Sequence, residues 1–102
     1  MFIINLKTES MANFGRNSLK FNYSWATTEG DSKKVIGYPD NVLLNRNEGY
    51  EMLHFINKYI VTRNLSITES NFTTIEYSIK TNVPSNLRSQ AHIKAWLDNN
   101  LK

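Results

Sequence analysis

Two histidines, nine acidic residues and many hydroxyls are the raw material for chemistry in this 102-residue chain. Glu51-x-x-His54 would set a carboxylate and an imidazole three apart on one helical face. Di-iron bundles use that spacing, but they need a second copy and further carboxylates. His92 has no acid three or four residues away, and Lys58 lies four residues beyond His54. The pair therefore reads as an ordinary solvated helix face. Gly15, Gly30, Gly37 and Gly49 are scattered, so neither a phosphate-cradling loop nor a Gly-x-Ser-x-Gly elbow can be written. With no cysteine, disulfides and thiolate metal sites are excluded. The expectation is a non-enzymatic protein that carries no cofactor and no metal.

Binding chemistry has more to work with. Tyr50, His54, Asn57 and Val61 follow i, i+4, i+7, i+11 spacing along one edge of an expected helix. Tyrosine and histidine offer flat area with a polar tip, which suits a partner-binding ridge. The net charge of +3 and a pI near 9.3 raise a second reading, nucleic-acid binding through Arg16, Lys20, Lys33, Lys34, Arg88 and Lys94. These residues are dispersed, and no cluster exceeds the Lys33–Lys34 pair, whereas phosphate tracking rests on several concentrated contacts. Phe21, Tyr23 and Trp25 alternate as base-stacking aromatics do on a sheet. The same alternation is what a sheet face covered by helices requires.

The elements that must position these groups are read from periodicity. Leu19–Ala26 alternates large apolar with small or polar residues, the period of a strand. A polar run containing Gly30 separates it from Lys33–Tyr38, which suggests an antiparallel hairpin. Phe2–Leu6 is a further candidate strand, and residues 1–17 are expected to be only loosely attached. Asn45 or Asn47 opens a helix that buries Met52, Leu53, Phe55, Ile56, Tyr59 and Ile60 and runs to about Arg63. Thr73–Lys80 alternates again, with Ile75, Tyr77 and Ile79 inward and Glu76, Ser78 and Lys80 outward. Pro84, capped by Ser85 or Asn82, starts a last helix that reaches Leu101.

The expected fold is therefore α+β, one domain over residues 1–102 in the order β-β-β-α-β-α. It is a two-layer sandwich, a mostly antiparallel sheet of three to four strands with two helices on one face. No segment approaches the roughly 20 apolar residues of a membrane helix, and the first residues form no charged leader, so a cytoplasmic protein without membrane contact is expected. Heavy use of Asn, Ile and Lys points to an A/T-rich genome such as that of a phage or mobile element. The function expected is a small accessory or inhibitory module that docks to a macromolecular partner, with a protein as partner. Nucleic acid is the alternative, and an edge strand could join two copies into a homodimer.

Overall fold

The computed structural model describes residues 14–25 and 43–101. Three helices pack around one core: α1 (Gly49–Thr62), α2 (Glu69–Tyr77), which continues into a π-helical turn Ser78–Asn82, and α3 (Gln90–Asn100). Residues 14–25, with a 3-10 turn at Arg16–Ser18 and a bend at Phe21, form an irregular strap laid along α1 and α2. Among the described residues there is no strand. Backbone pairing between distant segments reduces to two isolated bridges, Ser24 with Glu48 and Leu43 with Ser89. The α+β sandwich is thus corrected to a helical fold. The candidate strand Phe2–Leu6 and the hairpin partner Lys33–Tyr38 lie outside the described residues.

Helix α1 forms where its apolar stripe predicts. Met52, Leu53, Phe55, Ile56, Tyr59 and Ile60 are all buried. Its cap is Glu48, whose side chain accepts the Glu51 N–H at 3.1 Å, in place of the expected Asn45 or Asn47. It ends on Asn64, at φ 58°, with Leu65 N–H bonded to Ile60 O and Asn64 N–H to Val61 O. This is the Schellman closure, and asparagine tolerates the left-handed conformation it needs.

The larger correction concerns Thr73–Lys80, which is helical where alternation predicts a strand. Ile75 and Ile79 are four residues apart and so satisfy a period of two and a period of 3.6 alike. Phe72 and Val83 decide the matter, since with Ile75, Glu76 and Ile79 they make a buried helical stripe. Tyr77, expected inward, is 55% exposed, while Glu76, expected outward, is fully buried. Thr68 starts this helix by accepting the Asn71 N–H at 3.1 Å.

Helix α3 begins six residues after Pro84, capped by Ser89 through the His92 N–H at 3.2 Å. The residues between the π turn and α3 are held by Arg46. Its guanidinium donates to the carbonyls of Ile79 (3.3 Å), Val83 (3.0 Å), Pro84 (2.9 Å) and Leu87.

A polar clasp joins the end of α1 to α3. Asp98 accepts from Arg63 Nε at 2.8 Å and Nη2 at 3.0 Å, and from the Tyr59 hydroxyl at 2.7 Å. The hydrogen bond from Arg63 is the main reason the Asp98 carboxyl is held below its ordinary value, with Tyr59 and nearby positive charge assisting. A depressed folded value stabilises the protein above the unfolded pKa of about 3.9, and the contribution disappears as pH falls through the folded value. Both partners are partly exposed, so the contribution is small. Carboxyl NMR should show Asp98 titrating below an unstructured aspartate, and Arg63→Ala should move it back up. An Asp98 that titrates like a free side chain in the parent protein contradicts the clasp.

Candidate functional site

The strap and the helix face beside it bring together most of the chemistry-bearing groups. A chain outside helix and sheet leaves its N–H groups in need of acceptors. Glu76, projecting from the last turn of α2, supplies them. Its carboxylate accepts the Lys20 N–H at 2.9 and 3.0 Å, the Phe21 N–H at 3.1 Å and the Tyr23 hydroxyl at 2.6 Å. Burial, followed by the hydrogen bond and charge of Glu76, pushes the Tyr23 phenol well above its ordinary value, so it stays a donor.

One turn further on, Lys80 donates from Nζ to Arg46 O at 2.8 Å and to Asn47 Oδ1 at 3.3 Å. Its ammonium lies 4.7 Å from the Tyr23 ring centroid. Burial lowers the Lys80 pKa, and the nearby Glu76 carboxylate opposes that shift. Glu76 and Lys80 therefore fasten the strap and the turn before α1 to the same side of α2.

Both ends of the strap meet α1, and they meet the expected partner-binding ridge. At one end Asn57 accepts the Phe14 N–H at 3.1 Å and donates Nδ2–H to Phe14 O at 3.0 Å, while the Phe14 ring lies 4.9 Å from that of Phe72. At the other end Gly49 N–H bonds Ser24 O at 2.8 Å, and the Trp25 ring lies against Gly49. A Cβ built on Gly49 would stand 2.4 Å from that ring, so only glycine allows this approach. Tyr50 meets Trp25 edge-on, with centroids 4.9 Å apart at 87°. His54 and Val61 are half-buried, and His54 Nε2 is enclosed without a hydrogen-bond partner. Two of the four ridge residues, Tyr50 and Asn57, are thus engaged by the chain's own strap.

The basic residues of the nucleic-acid reading fall on separate elements. Arg16 and Lys20 belong to the strap, Arg88 to the segment before α3, and Lys94 is buried on α3. Lys33 and Lys34 lie outside the described residues. Phe21, Tyr23 and Trp25 are half-buried, not roofed by helices as a sheet face would be. Arg16 lies 4.1 Å over the Trp25 ring, and Lys80 stands near Tyr23. These cations already occupy the positions from which a base would stack, and they hold the rings through cation–π attraction.

Among the described residues, two surfaces stand out beside the exposed Leu65 and Ile67 of the α1–α2 connection. On the first, Phe21 and the exposed Tyr77 lie with ring centroids 6.4 Å apart, and Lys20, the residue before Phe21, is exposed. The second is an open polar cleft of about 520 Å³ between residues 43–47 and 85–88, with Glu51 also in its lining. The Phe21–Tyr77 patch is absent from a strand reading, because alternation turns Tyr77 inward; the helical spacing of Phe72, Glu76 and Val83 is the signal that would have turned it out.

Comparison with protein-family models, with curated proteins and with solved structures returns no match. Among the described residues no helix is long and apolar enough to cross a membrane.

Proposed function

We propose that the chain is a non-enzymatic docking module that uses the Phe21–Tyr77 patch to engage an acidic macromolecular partner, in the first instance a protein. The observation that carries this reading is Tyr77, a large aromatic side chain 55% exposed beside the half-buried Phe21. Tyrosine anchors of this kind, supported from behind by packed neighbours, dominate binding energy at protein interfaces.

Charge supports the acidic character of the partner. The chain carries twelve Lys and Arg against nine Asp and Glu, a net charge of +3. Lys20 stands at an exposed position next to Phe21 in the chain, and it takes no part in the Arg63–Asp98 ion pair. An outward field of this sign raises the encounter rate with acidic surfaces and is screened by salt. The proposal also places the chain in the cytoplasm, where a fold without cysteine needs no oxidising environment.

The test is affinity purification from the native host with the parent and Tyr77→Ala chains side by side. The exposed ring contributes little to folding, so the variant should melt with the parent. It should lose the partner by at least about thirtyfold in affinity, the effect of removing an interface anchor worth about 2 kcal/mol. Co-purification of the same partner at undiminished yield would sink the proposal.

A further inference from the structure

We infer that the polar cleft between residues 43–47 and 85–88 binds a phosphate-class oxyanion. Its volume of about 520 Å³ lies within the usual range of small-molecule sites. Its chemistry is dominated by donors. Arg88 brings an exposed guanidinium, and Ser85 a hydroxyl.

Asn45 and Asn47 add their amide groups, and here the hydrogen bonding within the wall matters. The Asn45 oxygen already accepts the Asn47 N–H at 3.0 Å, and the Asn47 oxygen accepts Lys80 Nζ at 3.3 Å. With those oxygens engaged, each side chain has its NH₂ as the group left to offer a ligand. Fixed positive charge stands alongside. Arg46 lines the cleft while its two terminal nitrogens hold carbonyls of residues 79–87, and Lys80 is bonded to the same wall.

Glu51 is the single acid in the lining. Its carboxylate accepts the Asn45 N–H at 3.0 Å, and it sits in the first turn of α1, where the helix dipole compensates negative charge. The ligand that fits such a set has acceptors only and presents them in several directions. A tetrahedral phosphate does so toward both walls, whereas a planar carboxylate offers two oxygens in one plane. The arginine fork at Arg88 is the side chain best shaped to hold phosphate oxygens in pairs.

This site shares no residue with the Phe21–Tyr77 patch, so the two proposals stand or fall separately. The test is a ¹H–¹⁵N titration of the whole chain with inorganic phosphate, with adenosine monophosphate and with a short oligothymidylate, at an ionic strength fixed with chloride. Saturable shifts at the amides of residues 45–47 and 85–88 are expected. Arg88→Ala should weaken them at least about tenfold, with partial recovery in Arg88→Lys. Ser85→Ala should weaken them less.

A response to phosphate and to the monophosphate identifies a free phosphate or its ester as the ligand. A response to the oligonucleotide alone identifies a nucleic-acid backbone phosphate. Silence toward all three probes overturns the inference, as do shifts that Arg88→Ala leaves unchanged while the rest of its spectrum matches the parent.

Discussion

Replacing Glu76 with glutamine should lower stability by about 3 kcal/mol, which for a chain of this size is a fall in melting temperature of about 15 °C. The carboxylate is fully buried and accepts two backbone N–H groups and a phenol. Hydrogen bonds to a charged acceptor are worth roughly 1.5–3 kcal/mol each, but releasing the strap lets its donors return to water, so the total is well under their sum. Glutamine keeps the volume and one accepting oxygen, and it turns an NH₂ toward groups that are themselves donors. Tyr23→Phe removes one donor only and should cost about 1 kcal/mol. Because both changes act on the same contact, the double variant should lose less than the two singles added together. Strict additivity in thermal unfolding would mean that Tyr23 and Glu76 do not share the bond described here.

The second large effect is expected at Arg46. Arg46→Ala strips the donor from the carbonyls of Ile79, Val83, Pro84 and Leu87 at once. Ile79 lies within the π-helical turn, whose Val83 N–H reaches back to Ser78 O at 2.8 Å. Some of these carbonyls are partly solvated and can turn to water, so the expected cost is about 2–3 kcal/mol, less than four charge-assisted bonds would suggest. Arg46→Lys should recover under half of it, because an ammonium cannot reproduce the planar fork. Urea unfolding gives the loss directly, and amide exchange across residues 78–89 should accelerate ahead of α1. A variant within about 0.5 kcal/mol of the parent, the usual range of surface substitutions, would show that the connection is held by something else.

These two residues also mark where sequence reading reached its limit. Helix α1 was legible because six buried positions on one arc have no strand interpretation. The alternation of Leu19, Phe21, Tyr23 and Trp25 reads as a strand, and that reading is corrected, because alternation does not say what the other side of the chain pairs with. Here its donors meet a carboxylate and helix faces where a neighbouring strand was expected. Thr73–Lys80 misled because isoleucines four apart fit both periods, and a glutamate between them reads as solvent-facing unless its partners are known. Those partners, Lys20, Phe21 and Tyr23, lie more than fifty residues away in sequence. Pro84 carried a genuine start signal, yet Arg46 holds the chain beyond it in an irregular path, and Ser89 becomes the cap. Of the candidate site, the Tyr50–Val61 ridge was visible as an unusual helix edge. Its engagement by Phe14 and Trp25 depended on a docking that no local pattern encodes.

Amide hydrogen exchange at Lys20 and Phe21 in the parent protein tests most directly whether the strap is docked on the helices. If Glu76 holds it, both amides exchange far more slowly than an unstructured chain, and Asn22, which donates to no group in the described structure, exchanges quickly beside them. Lys20 and Phe21 amides exchanging at the rate of free peptide would contradict the docked strap and, with it, the apposition of Phe21 and Tyr77.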